Sequence, residues 1–441
     1  MRALDHTHDA AARSWLASAN AAGTDFPIQN LPFSVFRRRG TQEAFRGGVA
    51  IGDQVLDLAA LGGTAVLEGA AREAARAAAQ STLNDFLALG PAAWRALRHA
   101  LFALLEDGAA PADALRACLL PQAEAEHALP ARIGDYTDFY TSLDHALNCM
   151  RIMVPEADVT PNFRWLPQAY HGRVSTIGVG SGPQGQQFHR PRGQWLPAGA
   201  AAPVFQPCAR MDYEMELGIW IGPGNAAGQR IALAEAESHV FGIGLLNDWS
   251  ARDIQVWEMT PLGPFHAKNF ATTVSPWIVT LDALAPYRTA WTRPAADPQP
   301  LPYLETAANR EAGAFDIRLE VWLHSERARR EGRGPARLSG TSFRHQYWSI
   351  AQMVAHHTAG GCSLHPGDLI GTGTISGPGP GEAGAMIELA HGGQKPVPLG
   401  DGDERGFLQD GDTVVMRGWC EKPGAARIGF GECRGTVLPA L

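Results

Sequence analysis

Asn247-Asp248-Trp249-Ser250-Ala251-Arg252-Asp253-Ile254-Gln255 is the stretch on which the reading of this chain turns. The apolar run before it, Val240-Phe241-Gly242-Ile243-Gly244-Leu245-Leu246, reads as a buried strand. The segment after it, Pro261-Leu262-Gly263-Pro264-Phe265-His266-Ala267-Lys268-Asn269-Phe270-Ala271-Thr272-Thr273, is too rich in Pro and Gly for a long helix. A strand therefore delivers the carboxylate of Asp248 to its end. Arg252, Gln255 and Lys268 follow within about twenty residues, the donor types that surround a metal ligand and a substrate anion.

Other acids fit this reading. Glu214 and Glu216 lie two apart in Glu214-Met215-Glu216-Leu217-Gly218-Ile219-Trp220-Ile221-Gly222, a segment with strand character, so both point to one face. Like charges that close repel unless a proton or a cation neutralises one. Asp138 lies in Asp135-Tyr136-Thr137-Asp138-Phe139-Tyr140. Four hard oxygen donors without paired His or Cys suit Mg²⁺, Ca²⁺ or Mn²⁺ better than zinc. Spacing alone does not bring the four together. His145 follows Asp138 by seven residues, and an imidazole there can exchange a proton near neutral pH. Ser376, in Gly371-Thr372-Gly373-Thr374-Ile375-Ser376-Gly377, lacks the GxSxG context of a nucleophile, and the loop reads as a backbone cradle. His356 and His357 are adjacent, face different ways on a helix, and are assigned to packing or to backing the residues of the site.

The 441 residues suffice for two or three domains. Hydrophobic content of 45% supplies a sizeable core, and 49 Gly with 31 Pro point to loop-rich β structure. A net charge of -8 and the lack of a Lys/Arg block argue against a nucleic-acid partner. The six cysteines (118, 149, 208, 362, 420 and 433) show no CxxC spacing, so reduced thiols and a cytoplasmic location are expected. Neither a signal pattern nor a transmembrane run of some 18 apolar residues is found, so no membrane partner is expected.

Along the chain, residues 1–25 are Ala-rich and expected to be poorly ordered at first. The segment 48–58 reads as two short strands around a Gly-Asp turn. Residues 66–106 have helical spacing, with Pro91 at a helix start, Trp94, Leu97, Leu101 and Leu104 on its core face, and Gly108 able to end it. A linker is expected from Pro121 to Ile133. Beyond it the pattern is strands and loops, with alternation over 315–323, strand character at 412–416, and one helix over 348–358. The expected division is an accessory domain, 1–128, and a catalytic domain, 129–441, in a mainly β protein.

Asn-Asp-Trp-Ser-Ala-Arg-Asp-Ile-Gln at 247–255, Pro-Leu-Gly-Pro-Phe at 261–265 and Lys268 together resemble the fumarylacetoacetase family, over nearly the whole chain. The resemblance implies an N-terminal SH3-like barrel, a C-terminal mixed β-sandwich roll and a homodimer. It places metal ligands on Asp138, Glu214, Glu216 and Asp248, with Lys268 and Thr272 around the metal. It places the general base on His145 and its carboxylate partner on Glu388. A carboxylate there would fix the tautomer and stabilise the imidazolium. Arg252, Gln255 and Lys268 become oxyanion donors, and Tyr140, Tyr170, Gln255, Met259, Gly373 and Thr374 fall on substrate-contact positions.

Two contacts do not carry over. Nine residues after His145, where the family has arginine, stands Val154, or Met153 if one residue is deleted nearby. Four residues after Gln255, where the family has tyrosine, stands Met259. The expected activity is metal-dependent hydrolysis of the C–C bond of a 1,3-diketo acid, by resemblance 4-fumarylacetoacetate, in tyrosine and phenylalanine catabolism. The alternative is a related enzyme of a specialised pathway acting on a more apolar diketone by hydrolysis, decarboxylation, isomerisation or cyclisation.

Overall fold

A computed structural model describes residues 3–109, 112–400 and 402–441. The run 240–246 does form a buried strand, Val240–Asp248, with no exposed residue along it. It sits inside an eight-stranded sheet. On one side it pairs antiparallel with Met215–Ile221, and on the other with Thr272–Val274. A strand covered on both faces reads as a continuous apolar run, which is why 240–246 shows no alternation. Next along the sheet, Leu369–Gly371 pairs with Met215–Ile221 and runs parallel to Tyr136–Tyr140. Asp138, Glu216 and Asp248 thus lie on three strands of one sheet, the first separated from the second by Leu369–Gly371, and Glu214 stands just before Met215–Ile221.

A second sheet of five strands packs on the first. It contains Arg318–His324, Thr413–Cys420 and Ile428–Leu438. Leu319, Val321 and Leu323 are buried as the alternation predicts, while Arg318 is exposed. Residues of both sheets share one core, with Leu217, Leu245, Leu319, Met416 and Phe430 among its members. The structure is mainly β. The helix expected over 348–358 spans Ile350–Thr358 and starts on a capping box between Ser349 and Gln352.

N-terminally, five strands form an antiparallel sheet that includes Arg46–Ile51 and Gln54–Asp57, the two strands expected around the Gly-Asp turn. Helices Gly69–Ala78, Asn84–Ala88 and Pro91–Leu105 lie beside it. Trp94, Leu97 and Leu101 are buried as their spacing requires, and Leu104 is half-buried. Trp94 meets Phe241 edge-on, with centroids 5.1 Å apart, so this helix backs directly onto the central strand.

Three expectations change. The N-terminal segment is docked, not loose: buried Arg98 donates to Thr7 Oγ1 (3.0 Å) and the Asn30 carbonyl (2.9 Å), and Ser14 Oγ donates to the Leu105 carbonyl (2.7 Å). Its Ala content hides these polar anchors; residues 1 and 2 lie outside the described residues. The segment 121–133 is only partly a linker, because Ala125–Ala128 forms a sheet strand against Phe33–Arg38. The long helix ends at Leu105, where Glu106 turns extended, and Gly108 sits beyond it with φ +84°.

Candidate active site

The sheet brings the four acids together. Ligand oxygens of Asp138, Glu214, Glu216 and Asp248 all lie within 4.8 Å of one another, and all four residues are buried. Gly371 makes the cluster possible: a Cβ there would stand 2.5 Å from Asp138 Oδ1 and 3.0 Å from Glu216 Oε2. Gly373, with φ +74°, turns the chain so that its N–H donates to Glu216 Oε2 (3.0 Å).

Two buried cations partly offset this charge. Lys268 Nζ donates to Glu214 Oε2 (2.5 Å) and Asp248 Oδ2 (2.6 Å). Arg252 pairs through Nη1 with Glu214 Oε1 and through Nε with Asp212 Oδ2, both at 2.8 Å. Burial and the nearby Asp248 carboxylate push Asp138 well above the usual carboxylate range. Burial, Asp138 and Glu214 do the same to Glu216. Burial would also raise Glu214, but Lys268 and Arg252 overcome it and hold that carboxyl low.

Asp138 Oδ1 and Glu216 Oε1 are buried without a hydrogen-bond partner. Orphaned carboxylate oxygens among hard donors are the environment a divalent ion such as Mg²⁺, Ca²⁺ or Mn²⁺ fits. Thr272 Oγ1 lies 3.4 Å from Asp248 Oδ1, at the edge of hydrogen bonding. Tyr170 OH donates to Asp248 Oδ2 (2.7 Å) and reaches Asp138 Oδ2 (3.2 Å), so it closes the cluster on the cavity side.

His145 lies on helix Leu143–Met153, whose N-cap Ser142 accepts from the His145 backbone N–H. Its Nδ1 is 2.7 Å from Glu388 Oε1, and both side chains are almost wholly buried. Motif reading gives three further groups no part in the dyad, although Ser376 is set aside there as a nucleophile. Asn148 Nδ2 donates to Glu388 Oε2 (2.8 Å), and Ser376 Oγ donates to the same carboxylate (2.9 Å) while accepting from Gly384 N–H (3.0 Å). Asp212 accepts from Arg252 and from the backbone N–H groups of Met386 and Ile387, fixing the short helix that carries Glu388. Its position two residues before Glu214, in an alternating Asp-x-Glu-x-Glu, was the available signal.

Burial lowers the His145 pKa, but the Cys149 sulfur, 3.6 Å from Nε2, and the Glu388 carboxylate outweigh it and raise the pKa well above the ordinary imidazole range. A divalent cation on the nearby acids would push it the other way. Burial would raise Glu388, yet His145 and the donors around it keep it low.

One side of this site opens on a cavity of about 1010 Å³. Asp138, Tyr140, His145, Tyr170, Glu214, Glu216, Arg252, Gln255, Met259, Lys268, Gly373 and Thr374 all face it. Tyr140 meets the His145 ring edge-on, with centroids 5.4 Å apart. Gln255 Oε1 accepts from Arg252 Nη1 (3.0 Å), which leaves its amide N–H groups for a ligand. Arg252 Nη2 and Thr374 Oγ1 are buried without partners. Position 154 is not among the lining residues, whereas Met153 is. Arg151 donates to the Ala157 carbonyl, away from the cavity. His356 and His357 bond Tyr303 and Thr137, the packing role expected of them.

The family model for the fumarylacetoacetate hydrolase C-terminal region matches residues 136–438, and that for the fumarylacetoacetase N-terminal region matches 29–130. The chain belongs to the fumarylacetoacetase family. Fumarylacetoacetase of Oryza sativa subsp. japonica is 45% identical over 428 residues, covering 96% of each chain. The Homo sapiens enzyme is 45% identical over 429 residues, covering 96% of this chain and 98% of its own. That of Caenorhabditis elegans is 45% identical over 425 residues, covering 95% and 97%. Among solved structures, a fumarylacetoacetate hydrolase from psychrophilic Exiguobacterium antarcticum has a TM-score of 0.50 at 17% identity, covering 93% of this chain and 99% of that one, which is a likeness of fold alone.

Proposed function

We propose that this member of the fumarylacetoacetase family hydrolyses the C–C bond of fumarylacetoacetate to fumarate and acetoacetate, in tyrosine and phenylalanine catabolism. The observation that carries the reading is that His145, paired with Glu388, faces the same cavity as Asp138, Glu214 and Glu216 of a four-carboxylate cluster, in which Asp138 Oδ1 and Glu216 Oε1 have no hydrogen-bond partner among the described residues. Asp138, Glu214, Glu216 and Asp248 would hold the divalent ion, Mg²⁺ or Ca²⁺, with Mn²⁺ as the third alternative. When bound, it supplies Lewis-acid polarisation of the diketone oxygens.

The chain's own groups do the rest. Nδ1–H of His145 is held by Glu388, which leaves Nε2 to take a proton from water. The hydroxide so formed adds to the carbonyl carbon beside the C–C bond. Arg252 Nη2, the Gln255 amide and the remaining N–H of Lys268 donate to the oxyanion. As the C–C bond breaks, its electron pair leaves on the acetoacetate carbon, and the His145 imidazolium returns the proton there. Tyr140, Tyr170, Gly373 and Thr374 shape the substrate's seat.

The homodimer, the cytoplasmic location, the SH3-like character of the N-terminal sheet and the division at 128/129 belong to the same reading. They rest on the family resemblance, together with six free cysteines and no helix among the described residues long and apolar enough to cross a membrane. Product analysis tests the reaction type. Hydrolysis yields fumarate and acetoacetate in equal amounts; a single product, or CO₂, refutes it. A second reading, a more apolar diketone, is favoured by Met150, Met153, Met259 and Leu262 along the cavity wall. Turnover of an apolar 1,3-diketone in preference to fumarylacetoacetate would establish it.

A further inference from the structure

Three Lys or Arg side chains line the cavity: Arg210, Arg252 and Lys268. Two are committed. Arg252 is tied to Asp212 and Glu214, and Lys268 to Glu214 and Asp248. Arg210 is not. Among the described residues its guanidinium makes no ion pair or hydrogen bond, and its carbon lies 6.0 Å from the centroid of the Phe407 ring. Its backbone is fixed nonetheless, because its carbonyl accepts from Arg252 N–H (3.0 Å) and strand Met211–Asp212 starts at the next residue. An exposed guanidinium on a fixed backbone, lining the same cavity as Phe407 and Ile387, can receive a planar anion.

Charge decides where in the cavity a carboxylate of the ligand would sit. Four carboxylates are crowded at Asp138, Glu214, Glu216 and Asp248, so a free carboxylate of the substrate is repelled from that end of the cavity. From Arg210 to Glu214 the backbone advances four residues, up to about 13 Å where extended. The positions where an arginine or tyrosine contact was expected carry instead Val154, outside the lining, and Met259, which offers no donor.

We infer that Arg210 binds the carboxylate at the end of the substrate remote from the four-acid cluster, making this a site for dicarboxylic diketo acids and their fumarate-type product. This rests on the diketo-acid reading above. It assigns the apolar wall to the substrate's chain and the anion to Arg210.

The test titrates fumarate, the probe, into wild type, Arg210→Met and Arg210→Lys, and measures KM and kcat for fumarylacetoacetate. Arg210→Met keeps the apolar stem and removes the fork. It is expected to weaken fumarate binding at least tenfold and raise KM by a similar factor, with kcat within about threefold; Arg210→Lys should recover part of the binding. Acetoacetate inhibition should be unchanged. Equal fumarate affinity in wild type and Arg210→Met, or no fumarate binding by wild type, overturns the inference. Wild type that binds fumarate through Arg210 but does not hydrolyse fumarylacetoacetate would instead refute the proposed function.

Discussion

Replacing Glu388 by Gln leaves the shape of the buried dyad intact and removes only its charge. The carboxylate accepts from three donors: His145 Nδ1 at 2.7 Å, Asn148 Nδ2 at 2.8 Å and Ser376 Oγ at 2.9 Å. A Gln carboxamide has a single acceptor oxygen, so at least one donor would face an NH₂. Asn148 can rotate its amide to accept instead, so packing is expected to survive. What is lost is the attraction between the carboxylate and the imidazolium that forms when water is deprotonated. For charges about 4 Å apart at an effective dielectric of about 20, that is ~4 kcal/mol. At 1.36 kcal/mol per decade it corresponds to roughly a thousandfold fall in kcat. The pH profile should move as well. His145 must be neutral to act, so activity is lost as pH falls, and removing the charge that raises its pKa should shift the acid limb to lower pH. The assay is kcat and kcat/KM for fumarylacetoacetate from pH 5 to 9, with the melting temperature as a fold control. A variant that keeps kcat within fivefold and an unmoved acid limb would refute a base held by Glu388.

Gln255→Ala removes an oxyanion donor and should slow kcat by about a hundredfold, ~3 kcal/mol, with a smaller change in KM; a change confined to KM would make Gln255 a binding group only. Burial and neighbouring carboxylates raise the pKa values of Asp138 and Glu216, so a divalent cation must displace protons from them. Calorimetric affinity for Ca²⁺ or Mg²⁺ should therefore rise with pH with proton release, and Asp138→Asn should weaken it at least tenfold; pH-independent binding would contradict this. His127 meets Trp277 edge-on (4.8 Å), with its Nδ1 sealed from solvent, and burial lowers its pKa to about 4. A base with a depressed folded pKa is taken up by protons first in the unfolded state. Stability is thus lost as pH falls from about 6.5 to 4, by up to about 3 kcal/mol. Denaturant unfolding at pH 7.5 and 5 should show a larger acid loss in wild type than in His127→Gln; equal losses would refute it.

What the sequence disclosed follows the physics of each element. The run 240–246 and the two-residue alternation of Glu214 and Glu216 are local signals, and both led to the strands that carry the acids. Convergence of Asp138 on that cluster is not local. It depends on Leu369–Gly371 lying between the two strands and on Gly371 having no side chain, which no spacing rule encodes. Ser376 and Asn148 carry no motif, and their role is created only when the 374–388 loop closes on the helix of His145. The strand at Ala125–Ala128 was obscured because its partner, Phe33–Arg38, lies about ninety residues away. Arg210 drew no notice because an arginine in a loop is unremarked until its neighbours are found to leave it without an anion.

The proposed function requires a cation on the four acids and a base at His145 to act in one cavity. The most direct measurement follows fumarylacetoacetate loss by the chelator-stripped protein, then with Mg²⁺ or Ca²⁺ restored, beside His145→Ala treated in the same way. Turnover is expected to be negligible without metal, to return fully when it is restored, and to fall at least a thousandfold in His145→Ala although that variant still binds the ion. Undiminished turnover in stripped protein, or in metal-loaded His145→Ala, would contradict it.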